Sequence, residues 1–208
     1  MGMLRHLVLA SVVVALAAGV AGCGSGNGGP LAADSPAAII AEAKANTIAA
    51  QSFTVSGGEP SAGLSVDLTI VHGVGCTGTI TQGSGNTSTL IWTGKTVYAH
   101  NKGLPVNEWM RGTSSDSDLQ GLLSLCRPSS LLASLDASSV TNATRSVTVY
   151  GGQPALSLSF PGTAGAQGGT IVVTDTATPV LLNIAQSGSL GLVFSRYGAT
   201  RTIAPPAA

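Results

Sequence analysis

The sequence predicts an α+β domain in which a strongly curved antiparallel sheet of about ten strands wraps around helices. Three observations carry this expectation. Segment after segment from Phe53 onward alternates apolar and polar residues with a period of two. These segments follow one another directly, about five before and about five after a helical stretch at 115–135, which favours an antiparallel sheet over an alternating α/β arrangement. Each strand has one apolar face, and the helices can supply the cover that it needs.

The first helix is expected over 35–51. Ser35 suits the capping position and Pro36 the first helical one, and Ile39, Ile40, Ala43 and Ile48 recur on one side. From Phe53 the period changes to two, and the segment 64–70 puts Leu64, Val66, Leu68 and Ile70 on one face. Strands at 76–82, 87–93 and 95–100 follow, the last after a Thr93-Gly94-Lys95 turn, with threonines marking the solvent side. Within 115–135, Asp116 and Asp118 stand where acids favour a helix start. Leu119, Leu122, Leu123 and Leu125 form an apolar face ending at Cys126, and Pro128 restarts a short helix carrying Leu131, Leu132 and Leu135. Strands resume near Val140. Those at 146–150 and 153–160 flank Gly151-Gly152, a two-residue hairpin turn, and strands at 169–174, 180–186 and 190–195 complete the sheet.

Ahead of the domain, Arg5 and His6 precede an apolar run of about fourteen residues at 7–20, and Ala21 and Gly22 place small residues before Cys23. This is the layout of a secretory leader, and the run falls short of the ~20 apolar residues of a spanning helix. Val20-Ala21-Gly22-Cys23 resembles a bacterial lipobox, which implies cleavage before Cys23 and a diacylglyceryl group on its thiol. Two acyl chains, at ~0.8 kcal/mol per buried CH₂, hold stably where a single chain is marginal. The expected organisation is a leader at 1–22, a flexible Gly/Ser/Asn-rich tether at 23–34, one domain at 35–203 and a loose tail at 204–208. The expected location is the extracytoplasmic face of the cell membrane, with Cys23 as the anchor.

Charge narrows the partners. Only 9% of residues are charged, and of nine basic side chains one lies in the leader, leaving eight against nine acidic. Nucleic acid, which needs a cationic surface, is excluded as a partner, as is attraction to anionic headgroups by charge alone. With Cys23 assigned to lipid, Cys76 and Cys126 remain as a pair in an oxidising compartment. A disulfide closing that loop of about 50 residues would contribute about 4 kcal/mol. Two free buried thiols are the alternative. Neither cysteine has a second Cys or a His at ligand spacing, so no metal or cofactor is expected.

A wider resemblance rests on five blocks in order: Ser52-Phe53-Thr54-Val55-Ser56-Gly57, Cys76-Thr77-Gly78-Thr79, Val97-Tyr98, Glu108-Trp109-Met110-Arg111 and Phe194-Ser195-Arg196-Tyr197-Gly198. In these the chain resembles the actinobacterial envelope lipoproteins of the LppX/LprG type, and through them the LolA/LolB carriers. The resemblance implies a half-barrel with helices on its concave side. It also implies a hydrophobic ligand, an acylated lipid bound or moved within the envelope.

The residues then nominated for ligand contact are Leu68, Ile70, Ile80, Trp92, Tyr98, Trp109, Leu156 and Leu158. Leu68, Ile70, Ile80, Trp92, Leu156 and Leu158 belong, with Leu90, Ile171 and Val173, to the apolar faces of their strands and serve equally well as filled core, since periodicity does not separate packing on helices from packing on lipid. Tyr98 offers a hydroxyl either to a headgroup or to a hydrogen bond at the core boundary. Trp109 and Met110 read as a lip at a cavity mouth or as a further strand.

Catalysis finds no support. The chain lacks a Gly-x-Ser-x-Gly elbow, a Ser-x-x-Lys pair and a phosphate loop. His72 and His100 lie near strand ends without acidic neighbours at ligand spacing, and Asp67 falls on a threonine-rich face. Two non-enzymatic readings remain: a carrier of hydrophobic ligand, and an envelope adaptor with a closed core that displays a rigid β-surface to a protein partner.

Overall fold

The structure, a computed structural model, describes residues 29–83, 85–105, 108–135, 140, 142–162, 168–186 and 191–207. The leader and Cys23 lie outside the described residues. One antiparallel sheet dominates. Its first six strands are β1 (Ser52–Glu59), β2 (Leu64–Val71), β3 (Gly75–Gln82), β4 (Asn86–Trp92), β5 (Thr96–Asn101) and β6 (Met110–Thr113). The other five are β7 (Thr144–Tyr150), β8 (Gln153–Phe160), β9 (Gly169–Thr174), β10 (Leu181–Gln186) and β11 (Gly191–Ser195). The spatial order is β6-β5-β4-β3-β2-β1-β11-β10-β9-β8-β7, so two meanders are joined where β1 pairs with β11. The edges β6 and β7 do not pair with each other, which leaves a half-barrel rather than a closed barrel.

The expected curved sheet is therefore present, with eleven strands in place of about ten. The additional strand is β6. Met110 pairs with Ala99 and Arg111 with Tyr98, so the segment that read as lip or strand is a strand.

Alternation decides which side is buried. Facing inward in register are Phe53 and Val55 of β1, Leu68 and Ile70 of β2, and Leu192 and Phe194 of β11, each at most 3% exposed. The convex side carries Thr54, Thr69, Thr81 and Thr87, whose hydroxyls bond across strands at 3.3 Å (Thr54 to Thr69) and 2.9 Å (Thr81 to Thr87). A bulge at Leu181–Asn183 turns Leu182 outward, where it joins Ala155, Val172 and Tyr150 in a small apolar cluster. Gly78 sits between Leu68 and Leu90 with φ 152°, and a Cβ there would collide with the Asp67 carbonyl oxygen, so close strand packing requires glycine at this point.

Three helices fill the concave side: α1 (Pro36–Ala49), α2 (Ser117–Leu125) and α3 (Pro128–Leu131). Ser35 caps α1 by accepting a hydrogen bond from the Ala38 amide at 3.2 Å, and Pro36 opens the helix as expected. Ile39, Ile40 and Ala43 are wholly buried against the sheet, while Ile48 is partly buried beside them. Asp116 does not cap α2. Its carboxylate turns back to accept from the Thr113 amide at 2.8 Å and hydroxyl at 3.0 Å, and those bonds hold its pKa below the ordinary value.

The N-terminal boundary needs a correction. The tether expected at 23–34 ends earlier, because Leu31 is 3% exposed and belongs to the core. Arg145 of β7 donates to the carbonyls of Leu31, Ala32 and Asp34 at 3.0, 2.7 and 3.2 Å, which fastens residues 31–34 to the edge of the sheet. At the other end Ile203 is buried and residues 204–205 are exposed.

The last turn of α1 is pinned to the sheet by a side-chain network. Thr47 Oγ1 accepts from the Leu181 amide at 3.0 Å, and the Tyr197 hydroxyl donates to the Leu181 carbonyl at 2.6 Å. Burial raises the Tyr197 pKa above its ordinary 10.0, with the Thr47 bond opposing the shift more weakly. A native pKa above the unfolded value means that this support is complete below about pH 10 and is lost as pH rises further. Thermal denaturation should show stability falling above about pH 10. Tyr197→Phe should flatten that alkaline limb while costing roughly 1–2 kcal/mol at neutral pH, since the Leu181 carbonyl loses its donor.

Candidate functional site

The expected Cys76–Cys126 pair is a disulfide in the structure, with a Cα–Cα distance of 5.6 Å. It ties the start of β3, inside the half-barrel, to the residue that ends α2. Arg127 follows at once as the N-cap of α3, and Pro128 takes the first helical position. The disulfide therefore fixes Arg127 above Trp92, which pairs with Cys76 across β3 and β4. The guanidinium lies 5.8 Å from the centre of the Trp92 ring, a cation–π contact.

Between these groups and the turn joining β2 to β3 lies a pocket of about 340 Å³. Ile70, Trp92, Cys126 and Pro128 line its apolar part, while His72, Arg127 and Ser129 supply the polar groups. The volume is at the low end of the ~300–1,000 Å³ of small-molecule sites, and an apolar lining with few polar groups is their usual character. The Trp92 Nε1–H is buried and has no hydrogen-bond partner among the described residues, although such donors are normally satisfied. No carboxylate pairs with Arg127 among the described residues. A donor and a cation thus remain for an acceptor-bearing or anionic group.

The nominated residues divide into three groups. Leu68, Ile70, Ile80, Leu156 and Leu158 share the concave face and are at most 3% exposed. Leu68, Ile80, Leu156 and Leu158 are packed by side chains, since a water-sized void beside any of them would leave accessible surface on it, and Ile70 reaches the pocket only by its edge. Trp92, together with the rim of Ile70, does border the pocket.

Tyr98 and Trp109 do not join the others. Tyr98 alternates with the inward Val97 and Ala99, so its ring is on the convex side, 5.9 Å from the Arg111 guanidinium. Trp109 packs on His100 at 5.4 Å, and His100 is further held by a 3.2 Å contact from Nε2 to the Pro105 carbonyl. Arg127, His72 and Ser129 were not expected at a site. A signal for Arg127 existed, because a disulfide at Cys126 brings its neighbour onto the strand that pairs with Cys76.

Among the described residues, no group of three His, Cys, Asp or Glu side chains is placed to hold a metal ion, and no helix is long and apolar enough to cross a membrane.

An open antiparallel half-barrel with helices against its concave side is the fold class implied by the LppX/LprG resemblance. A solved structure has a similar fold. The crystal structure of LprF from Mycobacterium bovis superposes with a TM-score of 0.61 over 83% of this chain and 97% of that one, at 15% sequence identity. At that identity the likeness is one of fold. No family model and no curated protein matches the sequence.

Replacing both cysteines (Cys76→Ser with Cys126→Ser) should lower unfolding free energy by about 4 kcal/mol in the chain-entropy account, given a separation of 50 residues. Urea denaturation of the variant against the oxidised protein measures this.

Proposed function

We propose that the chain is an envelope lipoprotein, anchored through Cys23 at the extracytoplasmic face of the membrane, that binds an acyl-bearing ligand without catalysing a reaction. The observation that carries the reading is the apolar pocket at the seam between β3–β4 and the α2–α3 junction, with a guanidinium at its wall that has no carboxylate partner among the described residues. An acyl chain removes apolar surface from water against Ile70, Trp92 and Pro128, while a carboxylate, phosphate or ester carbonyl meets Arg127 or the free Trp92 Nε1–H. Behind the pocket the Leu/Ile/Val core offers more apolar wall if α2 and α3 shift. The half-barrel fold, with the resemblance that anticipated it, supports a hydrophobic ligand of the acylated-lipid class.

The adaptor reading has an observation of its own. Leu68, Leu158, Ile171 and Val173 are 0% exposed, so the interior around them is filled. On that reading the convex face serves a protein partner and the pocket stays empty.

Titration with a fluorescent hexadecanoic acid separates the two. Saturable binding is expected, with Ser129→Trp abolishing it by filling the mouth and Arg127→Ala weakening it about tenfold, as loss of a charge-assisted hydrogen bond of roughly 1.5 kcal/mol would. Binding that ignores both changes, together with no lipid in organic extracts of the purified protein, would leave the adaptor reading, for which crosslinking in intact cells should capture a neighbour.

A further inference from the structure

From the chain path at the β7 edge, we infer that this edge, through Val147 and Val149, rests on the surface of the bilayer that holds the anchor. The inference rests on acylation of Cys23. Val147 and Val149 are 65% and 70% exposed although they lie on the inward side, opposite Leu156 and Pro154. Arg145, two residues before Val147 on the same face, is the side chain that fastens residues 31–34.

From there the chain runs back along the sheet. Gly29 lies directly on the Asp175 carboxylate, where no Cβ would fit. Asp175 bonds the Pro154 carbonyl at 3.1 Å, and Pro154 pairs with Val149, so Gly29 is two strands from Val149, roughly 10 Å at normal strand spacing. Six peptide links join Gly29 to Cys23, a reach of at most about 22 Å. The lipid therefore enters the membrane within about 30 Å of Val149, on the β7 side of the domain.

Charge agrees with this placement. No Asp, Glu, Lys or Arg occurs from Ser146 to Thr174, whereas the strands from β1 to β6 and their connections carry Glu59, Asp67, Lys95, Lys102, Glu108 and Arg111. Arg145 and Asp175 flank this stretch, and Arg145 already donates to three backbone carbonyls, so the β7 side brings fewer hydrated charges to lipid than the β1–β6 side. Two valines are a weak patch alone. On a chain already tethered the encounter is intramolecular, so they need only orient the domain.

The test uses the full lipidated chain in phosphatidylcholine/phosphatidylglycerol vesicles containing doxyl-labelled lipid. One sample carries a nitrobenzoxadiazole probe on Val149→Cys and another on Thr79→Cys, which lies exposed on the convex side. The probe at 149 should be quenched several-fold more than that at 79. A label-free repeat with Val149→Trp should show extra tryptophan quenching by brominated lipid relative to the parent chain. Equal quenching at both positions, with Cys23 shown by mass spectrometry to be acylated, overturns the inference and leaves the anchor standing. A Cys23 without acyl groups overturns both. Quenching at 149 that follows protein density and not doxyl content assigns the edge to a second copy of the chain, which also overturns it.

Discussion

Burial of a single greasy face governs this molecule. Ten of the eleven strands present Leu, Ile, Val or Phe to one side, and nothing in the sheet itself can cover them. Every described helix lies on that side, and the residues that lock the helices in place act at its margins: Thr47 and Tyr197 at the end of α1, Cys126 at the end of α2. The low charge of the chain follows from the same constraint. Its outer face is kept in water by threonines that bond to each other across strands, a neutral surface that needs no ion pairs to be satisfied.

Most of that architecture was written in local patterns. Alternation placed nine of the eleven strands within a residue or two and marked the start of β1, because each half-buried strand repeats its signal several times. Ser35-Pro36 marked the start of α1, since a cap and a fixed φ are properties of single residues. The misses are long-range or sparse. The four residues of β6, Met-Arg-Gly-Thr, hold so little alternation that the segment read as lip or strand, and pairing with β5 settles it as a strand. Leu31 looked like linker because its burial depends on Arg145, more than a hundred residues away. Tyr98 and Trp109 were apolar enough to be nominated, but parity along β5 puts Tyr98 on the convex side and a ring contact holds Trp109 against His100.

The site was legible in outline only. Once Cys23 was set aside, Cys76 and Cys126 were left as a pair or as two free thiols, and the structure joins them, while the apolar faces announced an interior. That a pocket would lie at the rim, under Arg127, followed from the place where α2 ends, which sequence leaves undetermined.

The join between β1 and β11 has a consequence for how such a chain can be made. β1 has half of its hydrogen-bonding neighbours next to it in sequence and the other half nearly 140 residues downstream. The first meander can assemble as soon as its own strands are present, yet α1 finds a seat for its buried face only when β10 and the Tyr197 turn are in place. Completion of this half-barrel is thus gated by its final strands.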